Sequence, residues 1–523
     1  MSTVRKKIHM AKDKDEEEEI RDPKKTCHHC HRKYASLANH VKCQKRGDAM
    51  ISAKTKVTSV KQEQDDDKEE ESRDSKKFQN SDGCSNTGET CRYIDDESKR
   101  LTEMTYNGQK PVLSSTDKEE LEQFANDIFE KKIISTKNTR NIGEFFGKQV
   151  QLRKHQIATA REMFNSLVQK VVCHLEAKTS WRWGDLKSGS YYDGTKVSCP
   201  DEMDCMFVAK LQSLEVSTRG APVGFCYVKV TQPQEDLTNF CQEDFLSSTK
   251  FRQYIFSCLE DMLVRPITRD TTQEPGSPSF GINYDTGLKD GDSNFVISID
   301  LVPALYFPGW PDTAGDFSGC TQRQLKDISK KGFLVVAKEC DIADAKDRDL
   351  LWRLSFSASE KTITKHADLD ENDECAGSTE RTCRKKVLRI LKRILEIAKD
   401  DEDSARMDES LATQGKEIAS ELRRAAQYTR EHGYCVAKHK FTTFQLRTLM
   451  WNEFYVATLG DHMWGNDSLV NRLKLSIVKL KKMLTGELPM DHFFIPNFDI
   501  MAEVPPVERK YLYIMACVAE RLL

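Results

Sequence analysis

The chain has 523 residues, of which 31% are charged, and a formal net charge of −3. A chain of this length is too long for one ordinary hydrophobic core and predicts two or more structural units. The charge balance shows no overall basic excess, so any surface for nucleic acid must be local.

Two further features of the composition predict where the protein resides. No apolar run approaches the about 20 residues of a membrane span, and the N-terminus lacks the apolar core of a signal peptide. Seventeen cysteines without a secretory signal are typical of reduced thiols, some of them bound to zinc. We therefore expect an intracellular protein of the cytoplasm or nucleus, with no membrane span.

A cluster of cysteines and histidines follows a charged stretch, residues 1–25, that we expect to be disordered. Cys27 and Cys30 form a Cys-x2-Cys knuckle, and His40 and Cys43 follow at helical spacing. These four side chains predict a tetrahedral zinc site in a small finger, residues 26–46, which would fold only with its metal. The alternative is a thiol-rich tail without a fixed site, and the finger's partner, nucleic acid or protein, stays open.

The next segment, residues 47–115, has an acidic block at 62–72 and few large apolar side chains, so we expect a disordered linker. Helical patterns begin at Asp117, where acidic residues suit the first turn of a helix. A long amphipathic helix is predicted over residues 156–176. Its apolar side chains recur every three or four residues: Ile157, Ala160, Phe164, Leu167, Val171 and Leu175.

The most informative stretch begins with the pair Gly189-Ser190. A Gly-Ser turn lets backbone N–H groups and a hydroxyl approach a phosphate, because glycine has no Cβ. Glu202 and Asp204 lie in an apolar run further on, and two residues apart in a strand they leave the same face. Adjacent carboxylates repel each other unless a cation lies between them, and oxygen ligands suit Mg²⁺ or Mn²⁺. Alternatively, an acidic-x-acidic triplet is an ordinary solvated strand face.

A third carboxylate strengthens the metal interpretation. Asp300 ends the β-branched run 294–300, which is typical of a buried strand, and an ionised Asp there needs a partner. Further apolar runs at 207–211, 224–230 and 332–338 predict more strands of a mixed sheet flanked by helices.

The C-terminal third predicts one more strand and several helices. In the alternating stretch 352–357, Arg353, Ser355 and Ser357 share one face. A helix is predicted over 382–399, with an apolar stripe and a basic ridge of Lys385, Arg389 and either Lys392 or Arg393, which suits a phosphate backbone. A basic helix face can also be merely solvated. A last long helix begins near 467 and ends at Gly486.

Several blocks of this sequence together resemble one known family. Gly-Ser-Tyr-Tyr at 189–192, Pro-x-Glu-x-Asp-x-Met-Phe at 200–207 and the later Asp300 are similar to the nucleotidyltransferase signature of cyclic GMP-AMP synthase and its male-abnormal relatives. The resemblance covers about residues 135–523 and continues in five blocks: 299–305, 352–361, 383–392, 443–449 and 493–498.

This resemblance implies an α+β, two-lobed nucleotidyltransferase fold. The core, with its long spine helix, would span 116–345, and a C-terminal helical lobe would span 346–523. It further implies an enzyme that makes a cyclic dinucleotide second messenger, similar to cyclic GMP-AMP, from ATP and GTP in innate immune sensing. Glu202, Asp204 and Asp300 would be the catalytic ligands of Mg²⁺ or Mn²⁺.

The resemblance also assigns roles at the nucleotide. Gly189 and Ser190 would hold phosphates, Arg353 would meet a base, and Ser355 and Ser357 would bond base or phosphate. Four further residues complete the nucleotide-binding set: Glu360 at the lower wall, Lys392 and Thr443 at phosphate, and Phe444 under the base.

The implied activator is double-stranded DNA, contacted by Lys154, Lys361, Lys385 and Arg389, with two protomers forming a homodimer on it. The family's zinc thumb corresponds here to His366, Cys375 and Cys383, at longer spacings and without an obvious fourth ligand. An unmetallated loop is the alternative, and the altered thumb leaves double-stranded RNA open as the activator.

Two other functions stay open. A male-abnormal-type scaffold would keep the fold and bind nucleic acid or protein without catalysis, although such relatives tend to lose part of the acidic trio. An oligoadenylate-synthase-like enzyme would make linear products, against which the thumb residues and the Tyr191-Tyr192 pair argue.

Overall fold

The computed structural model describes residues 112–134, 142–152, 154–179, 181–232, 234–273, 275–290, 293–315, 322–340, 345, 347–367, 382–399, 416–454 and 464–523. The chain divides into two units, Met1–Asn86 and Thr87–Leu523, and all described residues belong to the second. The predicted finger with Cys27, Cys30, His40 and Cys43, and most of the predicted linker, therefore lie outside the described residues.

The N-terminal part of the described chain leads through helices into the sheet. Helix α1 begins with a capping box, in which the Ser114 hydroxyl accepts from Asp117 N and the Asp117 carboxylate accepts from Ser114 N. The helices of this part, with one π-helical turn, are α1 (Ser115–Glu130), α2 (Ile142–Phe145), the π turn (Phe146–Val150), α3 (Lys154–Thr179) and α4 (Gly189–Tyr192).

A mixed sheet forms the centre of the fold, and eleven of its strands lie within the described residues. Their order is β1-β2-β9-β10-β11-β4-β6-β5, with β3 on β4 and with β8 joining β7 to β9. The strands are β1 (Trp183–Ser188), β2 (Glu202–Ala209), β3 (Leu214–Ser217), β4 (Phe225–Val230), β5 (Cys241–Gln242), β6 (Phe245–Leu246), β7 (Ile267–Arg269), β8 (Phe280–Asp290), β9 (Ser293–Phe307), β10 (Phe333–Val336) and β11 (Leu351–Ser355).

Helix α3 is the spine of this sheet. Its apolar stripe, including Phe164, Leu167 and Val171, is buried, and the helix packs against β1, β2 and another helix of the core. The predicted helix 156–176 lies within α3. The apolar side chains at three- and four-residue steps identified it, because such a period indicates one buried face. The remaining core helices are α5 (Glu235–Thr238), α6 (Ser248–Glu260), which packs on α3, and α7 (Gln322–Ser329).

The C-terminal lobe is mostly helical. Its helices and two short strands are α8 (Ser357–His366), α9 (Arg384–Lys399), α10 (Lys416–Glu431), α11 (Thr443–Phe454), α12 (Leu469–Thr485), β12 (Asp491–His492), β13 (Ile495–Asp499) and α13 (Pro506–Leu522), with 3₁₀ turns at Arg348–Leu350 and Asn466–Ser468. The predicted α+β nucleotidyltransferase fold, with a mixed sheet and a helical lobe, is thus confirmed.

Helix α1 precedes the sheet in sequence but packs on the C-terminal lobe. It packs against α13, and Lys510 Nζ lies 2.5 Å from Asp117 Oδ1. The first helix of the described chain is therefore attached to the C-terminal lobe. No helix within the described ranges has the length and apolar composition that crossing a bilayer requires.

Candidate active site

The acidic residues meet where two parallel strands run side by side. Strand β2 pairs with β9 so that Asp204 is the register partner of Asp300, and Glu202 that of Ser298. Met203, between Glu202 and Asp204, points to the opposite face of the strand and is fully buried in the core. The pairing brings Glu202, Asp204 and Asp300 to one end of the β2–β9 pair.

The three carboxylates influence one another electrostatically. Burial and, after it, the neighbouring charges of Glu202 and Asp300 together raise the pKa of Asp204 to about 7. Burial also raises the pKa of Asp300, again with a contribution from Glu202. Such mutual repulsion is what a shared divalent cation relieves.

Two of the three carboxylates, those of Glu202 and Asp300, are nevertheless contacted by protein donors. Lys196 Nζ lies 2.7 Å from Glu202 Oε2 and 3.2 Å from Asp201 Oδ1, and Gln273 Nε2 donates to Asp300 Oδ1 at 2.7 Å. Across the described part of the chain, no three His, Cys, Asp or Glu side chains are grouped closely enough to hold a metal ion. The trio therefore shares a neighbourhood without forming a finished coordination shell.

Gly189 determines how close the Gly-Ser turn comes to the acids. Its φ is +76°, and a Cβ built on it would lie 1.7 Å from Asp204 Oδ2. Both the left-handed backbone and the lack of space require glycine. The turn closes on itself, since Thr195 N and Lys196 N donate to the Ser190 carbonyl at 2.9 and 2.8 Å. Asp204 and Gly189 thus lie in direct contact.

The predicted base-binding face lies on β11 and the start of α8. The Arg353 guanidinium lies 5.1 Å from the centre of the Phe498 ring and 5.7 Å from that of Phe225. The hydroxyl oxygens of Ser355 and Ser357 lie 3.0 Å apart. Arg353 is thus placed among aromatic rings, where it can stack on a planar group.

Three more predicted nucleotide contacts lie on helices near this face. Arg447 NH2 donates to Glu360 Oε2 at 3.3 Å, and burial raises the pKa of Glu360. Thr443 begins α11, and the Phe444 ring lies 5.5 Å from that of His492.

Lys392, on α9, is buried and donates to the Thr195 carbonyl at 2.9 Å. Burial and, after it, the nearby positive charge of Arg447 together lower the pKa of Lys392 to about 8. This lysine therefore faces inward, towards the loop beside the acidic trio.

The expectation that Arg389 faces outward is wrong. Arg389 is only 8% exposed, donates from NH2 to the Val150 carbonyl at 3.3 Å, and lies 4.9 Å from the centre of the Phe146 ring. The π turn before α3 covers this part of α9. A row of basic residues at helical spacing thus marks a buried contact here.

Of the other predicted nucleic-acid contacts, Lys361 is turned back onto the protein and donates to the Lys187 carbonyl at 3.0 Å. Lys385 is half-buried, and its ammonium lies near Gly194. The side chain of Lys154, at the first turn of α3, lies outside the described residues.

The predicted zinc thumb is described only in part. Cys383 is fully buried just before α9, and burial raises its pKa to about 11. Cys375 and the side chain of His366 lie outside the described residues, so zinc binding here stays a prediction.

Four residues near the acids were not predicted: Asp193, Lys196, Gln273 and Arg447. Arg447 NH2 donates to Asp193 Oδ2 at 2.8 Å. The spacing of Arg447, four residues after Thr443 on the same helix, was the one available signal for it. Lys196 and Gln273 reach the acids through loop conformations that no periodicity encodes.

Comparison with known proteins agrees with this geometry. Residues 191–366 match the Mab-21 protein nucleotidyltransferase domain. A cyclic GMP-AMP synthase-like receptor of Magallana gigas is 31% identical over 340 residues, 62% of this chain and 49% of the relative. The cyclic GMP-AMP synthase of Mus musculus is 26% identical over 257 residues, 47% of this chain and 49% of the relative.

A third relative, cyclic GMP-AMP synthase-like receptor 3 of Stylophora pistillata, is 22% identical over 49% of this chain and 68% of its own length. This chain thus spans about half the length of the first two relatives. In its matched domain and its fold, the chain is thus similar to the Mab-21 nucleotidyltransferase domain and to cyclic GMP-AMP synthase-like proteins.

Proposed function

We propose that this chain is a nucleic-acid-activated nucleotidyltransferase that makes a cyclic dinucleotide second messenger, similar to cyclic GMP-AMP, from ATP and GTP. The observation that carries the proposal is the parallel pairing of Asp204 with Asp300, with Gly189 in contact with Asp204. A phosphate-binding turn and a set of carboxylates are the two parts that metal-dependent phosphoryl and nucleotidyl transfer requires.

Glu202, Asp204 and Asp300 would hold Mg²⁺ or Mn²⁺. Their donor set fits these ions, because all three offer carboxylate oxygens, and burial together with the charge of Glu202 raises the pKa of Asp204 and Asp300. Bound divalent ions would stabilise the charge that develops on the attacking and leaving oxygens. To bind the metal, Glu202 would release its contact with Lys196, and Asp300 would release its hydrogen bond from Gln273.

The chain's own groups would bind and orient the nucleotides. Gly189 and Ser190 offer backbone N–H groups to phosphate, with Thr443 and Lys392 beside them. Arg353, among aromatic rings, would stack on a base, with Ser355, Ser357 and Phe444 completing the pocket. The buried Glu360 would form the lower wall.

The relatives are named as a synthase and a synthase-like receptor, which supports a sensor role for this chain. The family resemblance supports that role in innate immune sensing. The activator would be double-stranded DNA or double-stranded RNA, bound as a homodimer in the cytoplasm or nucleus. Lys154 and Lys385 are the proposed contacts. With Arg389 buried and Lys361 turned inward, neither of these two adds to the nucleic-acid surface.

One experiment tests the proposal directly. Purified protein is incubated with all four NTPs and Mg²⁺ or Mn²⁺, separately with double-stranded DNA, with double-stranded RNA and without either, and the products are separated by chromatography. A cyclic dinucleotide that depends on one nucleic acid supports the proposal. Asp300→Asn should abolish product, whereas Asp261→Asn, in an exposed ion pair with Lys178, should not.

The outcomes separate the rival functions. Linear oligonucleotides as the final product would indicate the oligoadenylate-synthase-like alternative. Binding of nucleic acid without consumption of any NTP, under all conditions, would refute the enzyme and leave the scaffold.

A further inference from the structure

The loop between α4 and β2 carries charges of both signs into the candidate site. We call residues 193–198 the site loop. It begins with Asp193 after α4 and contains Lys196, and the left-handed φ of Gly194 (+72°) and Ser198 (+64°) turns it sharply near both ends. The Thr195 and Lys196 N–H groups of this loop donate to the Ser190 carbonyl, so the loop folds back on the Gly-Ser turn that contacts Asp204.

Asp193 brings a negative charge to a group of cations. Its carboxylate, with a side chain only 2% exposed, accepts from Arg447 NH2 at 2.8 Å. Lys361, Lys385 and Lys392 also act on it electrostatically. Arg447 lies one helical turn after Thr443 on α11, so the carboxylate lies beside the proposed phosphate contacts Thr443 and Lys392. Glu360, the second acid of this group, also accepts from Arg447 NH2, at 3.3 Å.

Some polar atoms in this group have no hydrogen-bond partner, which indicates that the pocket binds a further polar ligand. Among the described residues, Asp193 Oδ1, Thr195 Oγ1 and Arg447 Nε are buried without a hydrogen-bond partner. Buried polar groups in proteins are nearly always paired, so three of them in one place call for an explanation. A bound phosphate and its water would supply acceptors and donors here.

Lys196 brings a positive charge to the acids at the other end of the loop. Its side chain is 11% exposed, and its ammonium contacts Glu202 at 2.7 Å and Asp201 at 3.2 Å. The Lys196 ammonium thus contacts the Glu202 carboxylate, which would bind a divalent cation in the proposed function.

The loop is also held in place by its neighbours. Lys392 Nζ donates to the Thr195 carbonyl at 2.9 Å, and Ser198 Oγ donates to Glu396 Oε2 at 3.2 Å. Ser198 N donates to the Val150 carbonyl at 3.4 Å, the same oxygen that Arg389 contacts. The π turn, the site loop and α9 therefore meet at the Val150 carbonyl oxygen.

We propose that the site loop is a charge-matched plug: Asp193 takes the place of a nucleotide phosphate among the cations, and Lys196 takes the place of a divalent cation at Glu202. Both contacts must open before nucleotide and metal can bind. The inference rests on the proposed function, whose metal and phosphate sites it specifies, and it assigns the resting state of those sites to two residues of one loop.

The test measures binding and loop opening in the full chain without nucleic acid. Lys196→Met should tighten Mn²⁺ binding, followed by electron paramagnetic resonance of the free ion, about tenfold or more, because a cation is removed beside the site. Asp193→Asn should tighten binding of a fluorescent ATP analogue in EDTA by a similar factor. In both variants the amides of Thr195 and Lys196 should exchange hydrogen faster than in the wild type.

A matched ion pair on the surface supplies the controls. Lys178 and Asp261 lie 2.6 Å apart and are half-exposed. Lys178→Met and Asp261→Asn remove the same charges from a pair outside the site loop, and both should bind and exchange as the wild type does. Retention of the wild-type melting temperature in the two loop variants would show that they still fold.

Each remaining outcome overturns the plug. Unchanged affinity in both loop variants refutes it, and so does tighter binding with unchanged amide exchange, which would be a long-range field effect alone. Failure of the proposed function is a separate result. It would appear as no NTP turnover by wild-type protein with any nucleic acid, whereas the plug is judged on binding and exchange.

Discussion

Gly189→Ala probes the contact between the Gly-Ser turn and the acids. The new Cβ would lie 1.7 Å from Asp204 Oδ2, 2.6 Å from its Cγ and 2.9 Å from its Cβ, so the whole carboxylate must move. The left-handed backbone adds about 1 kcal/mol of strain, and forced displacement of a packed side chain adds about 1–3 kcal/mol. A shift of about 1 Å in a catalytic group lowers the rate about 100-fold. We expect this loss in NTP turnover, with about 2–4 kcal/mol less stability.

Gly220→Ala is the matched control. Gly220 has nearly the same φ, +77°, but a Cβ there would meet nothing within 4 Å. It should lose about 1 kcal/mol in urea unfolding and keep full turnover. The reasoning would be refuted by wild-type turnover in Gly189→Ala, or by equal losses of stability in the two variants, since either result means that Asp204 does not lie against the turn.

Three further predictions concern the acids and α9. Asp300→Asn and Glu202→Gln should each lower turnover at least about 1000-fold, measured by chromatography of the products, while circular dichroism stays unchanged; normal activity in either variant would exclude it as a metal ligand. The pKa of Asp204 is about 7 in the folded protein against 3.8 for an unperturbed aspartate carboxyl, so the folded state binds the extra proton, and stability should fall as pH rises from 4 to 7. Asp204→Asn should lack this part of the dependence in melting temperature against pH, and parallel curves for both proteins would contradict the shift. Arg389→Ala should cost about 2 kcal/mol of unfolding free energy, because it leaves the Val150 carbonyl without that donor, whereas Lys385→Ala should stay within about 0.5 kcal/mol; the reverse order would restore the outward-facing Arg389.

The sequence predicted the spine helix and the strands of the site well, for a physical reason. The apolar period of α3 and the β-branched run before Asp300 are local patterns, and each element buries the face that its own sequence makes apolar. Asp204 and Asp300, 96 residues apart, become register partners because both end up on neighbouring parallel strands. The family resemblance supplied only the expectation that both acids hold the same metal; neither it nor the periodicity contained the strand pairing.

The basic face of α9 shows where such patterns fail. Arg389, Lys392 and Arg393 are all buried, although helical spacing alone suits them to an exposed ridge. Their partners are the carbonyls of Val150 and Thr195 and the carboxylate of Glu396, of which the first two lie 239 and 197 residues away. A long cationic side chain can satisfy its head group on backbone oxygens, so charge by itself does not reveal exposure.

The parallel register of β2 and β9 limits how this chain can change. Some 70 residues separate Ala209 from Phe280, and they can lengthen or shorten at their loops without moving either acid. A single residue inserted in β2 between Glu202 and Asp204 would instead place these two side chains on opposite faces of the sheet, since side chains alternate. Variation among close relatives should therefore concentrate between these strands and spare their lengths.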